Sequence, residues 1–133
     1  MKLNKKFYIA LLIIYFVILF TVLYIFGHVS NVNNSNFFDR FISLINIIPF
    51  ANLGNIQSII ISIIRFIPLS FILPNIFNKL KQPYNFYITI ISIIFLYEIS
   101  KTLLLLGYAD INDIILGSFS TITIYKIFLK AQV

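Results

Sequence analysis

Tyr84 to Leu106 reads YNFYITIISIIFLYEISKTLLLL and Ile111 to Leu129 reads INDIILGSFSTITIYKIFL, with only GYAD, Gly107 to Asp110, between them. Each run is long enough to cross about 30 Å of hydrocarbon as a helix rising roughly 1.5 Å per residue. So short a link forces the two runs into an antiparallel helical hairpin. The hairpin also carries charge where lipid tolerates little of it. Glu98 and Lys101 lie in its first arm, and Asp113 lies early in its second.

Upstream, the pattern repeats twice. MKLNKK is followed by an apolar run from Phe7 to Phe26, and a second run extends from about Ile56 to Ile76 with Arg65, Pro68 and Pro74 inside it. A cleaved signal peptide has a shorter apolar stretch and a small-residue cleavage site, so the first run is expected to stay as a span. His28 to Ser35 is polar and is expected to be a loop, with His28 an interfacial residue at the span end. In NFFDRFISLINIIPF, the polar residues Asn36, Asp39, Arg40, Ser43 and Asn46 recur every three or four positions and draw one stripe. Asn36 is placed as an N-cap with Asp39 in the first turn, and Pro49 ends the segment. The spacing predicts an amphipathic helix over Asn36 to Ile48, too short to span and suited to the membrane interface.

Composition agrees. Apolar residues make up 60% of the 133 and charged residues 11%, and the mean hydropathy is +0.99. A soluble domain of this size has no interior large enough for that much apolar surface. The expected fold is an all-α membrane protein: one integral domain over residues 1–133, a bundle of four transmembrane helices plus the interfacial helix between the first and second. The spans fall at about 7–26, 56–76, 84–106 and 111–129. No cysteine is present and His28 is the one histidine, so no metal site or cofactor is expected. The net charge of +6 forms no single patch, which argues against nucleic acid. Lys2, Lys5, Lys6, Lys79, Lys81 and Lys130 fall on one side of a four-span chain, with Lys126 close by. That side is the cytoplasmic one, and both termini lie there.

Arg65, Glu98, Lys101 and Asp113 lie well inside spans, and their formal charges sum to zero. One such residue near mid-helix costs about 2.5–3.5 kcal/mol on insertion scales, so the four are expected to face each other or water. Counting from GYAD, Lys101 and Asp113 share a depth, Glu98 shares a face with Lys101, and Arg65 reaches similar depth. The expected pairs are Lys101 with Asp113 and Arg65 with Glu98. They serve either as packing ion pairs or as a polar pocket open to the outside. No catalytic signature accompanies them.

Four strings then occur in order: NIIPF (Asn46 to Phe50), FIPLSFILP (Phe66 to Pro74), the intramembrane Glu98, and DINDIIL (Asp110 to Leu116). Together they resemble the VanZ-like family of bacterial membrane proteins over about residues 37–129. That family's pattern is N-x-x-P-F, F-I-P-L-G-F-x-x-P, E-x-x-Q, then D-x-D-D followed by asparagine and glycines. The resemblance marks Asn46, Pro49, Phe50 and Pro68 as motif positions, with Asp110 and Asp113 in the acidic string. The chain departs from the pattern at Ser70, Lys101, Asn112, Gly117, Ser120 and Thr121, and Gly107 stands where an arginine is common. The resemblance implies a bacterial cytoplasmic-membrane protein with a role linked to resistance to the glycopeptide teicoplanin.

The leading expectation is an outward pocket that holds an amphiphile, either a lipid-bearing glycopeptide or a cell-wall lipid intermediate. Asn36 to Ile48 would act as its lid, Arg65 and Glu98 would set charge preference, and Lys101, Asp110 and Asp113 would lie around them. An enzyme using Glu98 as general acid or base on a lipid-linked substrate is the first alternative. A structural, immunity-type accessory subunit is the second. For topology, a reporter fused after Lys81 or at Val133 is expected to read cytoplasmic, and one inserted within Asn31 to Asn34 external. An external C-terminus would mean an odd number of crossings.

Overall fold

The computed structural model describes residues 4–27, 36–50 and 56–131. Its helices are α1 (Lys5–Phe26), α2 (Phe37–Ser43), α3 (Ile56–Arg65), α4 (Leu69–Ile76), α5 (Pro83–Leu103) and α6 (Ile111–Ala131), with a 3-10 turn at Asn78–Lys81. Two residue pairs add a minimal parallel ladder, β1 (Ile45–Asn46) beside β2 (Ala109–Asp110). Taking α3 and α4 as one interrupted span, Ile56–Ile76, four helices are long and apolar enough to cross a membrane. Much of their outward surface is large and apolar, including Val17, Ile64, Leu96, Phe119 and Ile127. Left in water, a surface of that kind drives association, and lipid removes the penalty.

The break between α3 and α4 has a local cause. Pro68 has no N–H and disfavours helical geometry at the residue before it. The chain responds with three-residue steps, Ile67 N–H donating to Ile64 and Leu69 N–H to Phe66. This leaves the carbonyls of Ile63 and Arg65 without their usual helical donors. Ser120 donates to the first at 2.8 Å, and the Tyr15 hydroxyl donates to the second at 2.9 Å. Hydroxyls from α6 and α1 thus satisfy what the proline releases, a condition for any broken helix inside hydrocarbon.

α6 lies against α3, α5 and α4. Its inward face is small and polar: Gly117, Ser118, Ser120 and Thr121. Thr121 donates back to the Gly117 carbonyl at 2.7 Å, so its hydroxyl is satisfied within the helix. The Phe66 ring fills the space above Gly117, where an added Cβ would lie 2.8 Å from Cδ2. At the lysine-rich end, fully buried Tyr125 stacks on Phe86 with centroids 3.8 Å apart and donates to the Leu80 carbonyl at 3.0 Å. α1 packs chiefly on α4 and is the least buried of the four candidate spans.

Two boundaries differ from the sequence expectation. The helix expected over Asn36 to Ile48 stops at Ser43, because Ile45 and Asn46 leave it to pair with β2. Asn36 holds the N-cap position without a side-chain cap bond. The third span ends at Leu103, where Leu106 N–H reaches the Lys101 carbonyl and Leu105 N–H the Thr102 carbonyl. These two bonds form a Schellman stop, with Leu105 at φ 54° in the position usually taken by glycine. The expected His28 to Ser35 loop lies outside the described residues.

Gly117→Val is expected to destabilise the protein by about 1–3 kcal/mol through overpacking against Phe66. Phe66→Leu in the same chain should return part of that loss. Unfolding in detergent reads both, and an unchanged Gly117→Val variant would contradict the close approach.

Candidate functional site

Four charges from three helices converge. Lys101 Nζ lies 2.6 Å from Glu98 Oε2 and 3.5 Å from Asp113 Oδ2. Arg65 Nη1 lies 3.8 Å from Glu98 Oε1 and 3.9 Å from Asp113 Oδ2. The tightest pair is therefore Glu98 with Lys101 on one helix, three residues apart. The expected Lys101–Asp113 and Arg65–Glu98 contacts are both present but longer. Exposure falls in the order Arg65 23%, Asp113 22%, Lys101 10% and Glu98 1%.

Helix ends explain why this arrangement is tolerable. Arg65 closes α3 and Lys101 sits in the last turn of α5, where the backbone carbonyls favour a cation. Asp113 lies in the first turn of α6, where free N–H groups favour an anion. Its Oδ1 also accepts from Ser62 at 2.5 Å. Glu98 alone lies within a helix away from the end its charge prefers, and it has the shortest ion pair plus a 3.3 Å bond from the Asp110 N–H. Gly107 leaves room for this: an added Cβ there would sit 3.0 Å from Cδ of Lys101.

A second network joins two of the quoted strings. Asp110 Oδ1 accepts from Asn112 N–H at 2.9 Å and from Asn46 Nδ2 at 3.4 Å. Asn112 Oδ1 accepts from Phe50 N–H at 2.8 Å, and Phe50 itself is held at φ 60°. Asn46 to Phe50 is thereby docked onto Asp110 to Asn112, far apart in sequence and adjacent in space. Asp110 enters the charge group through its backbone, not through an ion pair. Pro49 lies exposed in the docked segment, and Pro68 acts at the helix break.

Beside the charges lies a cavity of about 800 Å³ between α1 and α3. Ile18, Leu19, Val22, Leu23, Ile60 and Ile64 form its apolar walls, with Gly27 and Gln57 at one end and Tyr15, Arg65 and Tyr97 at the other. It spans Tyr15 to Phe26 of α1, roughly 16 Å of helical rise. Of the four charges only Arg65 lines it, and no residue of α2 does so among the described residues. The guanidinium lies 5.6 Å from the Tyr97 ring centroid and 6.0 Å from that of Phe66, within cation–π range.

Tyr15, Ser62, Tyr97 and Asn112 were not legible as site residues. Tyr15 and Tyr97 look like lipid-facing bulk in apolar runs, and Ser62 is one of several serines. Asn112 has a signal, its place inside DIND, but only the fold shows what it caps. No family model, curated protein or solved structure matches this chain.

Glu98→Gln is expected to cost about 3–5 kcal/mol, because it strands cations in a dry setting. Lys101→Met added to it should recover part of the loss, with a coupling of about 0.5–3 kcal/mol. The same cycle with Arg65→Met should show a smaller coupling, following the distances. Additive losses in both cycles would show that the four charges are energetically independent.

Proposed function

We propose that this chain is a multi-pass protein of a bacterial cytoplasmic membrane, with both termini cytoplasmic, that holds an amphiphile between α1 and α3. One observation supports the binding role above the others. A cavity of about 800 Å³ is of the size that small-molecule sites take, its walls are apolar, and one end carries a guanidinium. An acyl chain enters such a slot from the bilayer without crossing water, and its polar group meets Arg65. Lys5, Lys6, Lys79, Lys81, Lys126 and Lys130 gather at the end opposite the charge group, which favours that end as cytoplasmic.

A lipid-bearing glycopeptide, the ligand class to which the VanZ-like resemblance points, has a tail for the slot and polar groups for the arginine. A cell-envelope lipid has both as well. Through either ligand the protein would contribute to antibiotic resistance or envelope physiology. A structural role for Glu98 and Lys101 is favoured by their burial, and for Asp113 by its contacts with Lys101 and Ser62, and sits beside this proposal without conflict. Use of Glu98 as a general acid or base has no such support, because its carboxylate is 1% exposed and does not line the cavity.

Ile61 lines the slot and is partly exposed, so Ile61→Trp should fill it without disturbing the charges. Binding of a labelled lipoglycopeptide or acyl-lipid probe to the purified protein is expected to fall at least about tenfold, a loss of roughly 1.4 kcal/mol, with unfolding unchanged. Undiminished binding in that variant would place the ligand elsewhere.

A further inference from the structure

The Arg65 end of the cavity offers hydrogen-bond donors. A guanidinium has five N–H groups, and none of those on Arg65 makes a hydrogen bond among the described residues. Its approaches to Glu98 and Asp113, 3.8 and 3.9 Å, are too long to count as hydrogen bonds. Its Nη1 is buried against the two carboxylates, while the residue itself lines the cavity and the rest of the guanidinium is not buried. The Tyr97 hydroxyl, on the same wall, also has no hydrogen bond among the described residues. The Tyr15 hydroxyl is already committed to the Arg65 carbonyl. Donors that stand among apolar walls without an acceptor favour an occupant that supplies one over an occupant that supplies only methylenes.

The charge count then selects the kind of acceptor. Arg65 and Lys101 bring two positive charges, and Glu98 and Asp113 bring two negative ones. Asp110 reaches Glu98 only through its backbone N–H, and its carboxylate is turned to Asn112 and Asn46. The group of four is thus neutral, and no other charged side chain makes an ion pair with it among the described residues. An anionic head would take the region to −1 in a low-dielectric setting, whereas an uncharged head leaves it unaltered.

We infer that the cavity selects an uncharged carbonyl on an acyl chain, an ester or an amide, with Arg65 and Tyr97 as its donors. The chain lies along Ile18, Val22, Ile60 and Ile64. This rests on the amphiphile-binding proposal and adds the chemistry of the head group to it.

The test uses the full chain in detergent micelles and one dodecanoyl chain in three forms: methyl ester, N-methyl amide and free carboxylate. Mildly alkaline buffer keeps the carboxylate ionised. Displacement of a fluorescent acyl probe reads affinity. The ester and amide are expected to bind, and the carboxylate roughly tenfold or more weakly. A preference for the ester indicates a membrane lipid as the natural source, a preference for the amide indicates an N-acylated compound, and both orders support the inference. Tyr97→Phe keeps the ring and removes the hydroxyl, so ester affinity should drop by about threefold to tenfold. Carboxylate binding equal to or tighter than ester binding overturns the inference and leaves the amphiphile proposal standing. An unchanged ester affinity in Tyr97→Phe overturns the two-donor assignment. If none of the three forms binds, both proposals fall.

Discussion

Glu98 is a carboxylate inside a helix rich in isoleucine, leucine and aromatic residues, with 1% of its side chain exposed. Charge in such a place persists only if cations reach it and their own desolvation is met in turn. Lys101 reaches it from one turn away on the same helix. Arg65 must come from α3, and Asp113 from α6 balances the two cations. Three of the four sit at helix ends whose backbone polarity suits their sign. Satisfying Glu98 therefore fixes how α3, α5 and α6 meet. α1 takes no part in that constraint, which is consistent with its shallow burial and with the open slot beside it.

Much of this group is visible in the sequence as depth. Counting residues from GYAD puts Lys101 and Asp113 at a similar depth and Glu98 one turn deeper on the face of Lys101, and counting into the second run brings Arg65 to the depth of Glu98. The ranking of contacts is not visible there. Glu98 and Lys101 at i and i+3 meet through side-chain rotamers, and the turn at Gly107 makes space for the lysine stem. Helix ends were harder than helix centres. Leu105 occupies the left-handed position that a glycine usually announces, so the stop at Leu103 has no local signal. The end of α2 is hidden for a related reason: Asn46 continues its polar stripe, yet a partner far away in sequence, Asp110, takes it into the ladder.

The proline break shows how the elements depend on each other. Pro68 frees two carbonyls, and each is met by a hydroxyl from a different helix, Ser120 of α6 and Tyr15 of α1. Neither residue stands out in sequence, because a serine or tyrosine in an apolar run has a bland explanation. The glycine and hydroxyl residues of α6 have the same double use. They let Phe66 approach closely at Gly117 and supply the donor at Ser120 where the second span comes undone. Position on a shared face, not residue type, decides which serine matters.

The division between α1, whose only charges are Lys5 and Lys6 at its start, and three partners with charges deep inside them bears on how the protein is made. α1, the most apolar of the four candidate spans, can leave an insertion channel for lipid by itself as soon as it is synthesised. The Ile56–Ile76 segment cannot do so on equal terms, since Arg65 is translated before Glu98, Lys101 and Asp113 exist. Its release is cheapest after α5 has supplied a carboxylate, and the charge count closes only when the first turn of α6 has emerged. Biogenesis on this pattern has two stages: early partitioning of one anchor, then joint hand-over of three helices whose electrostatic balance is completed by the last to be translated.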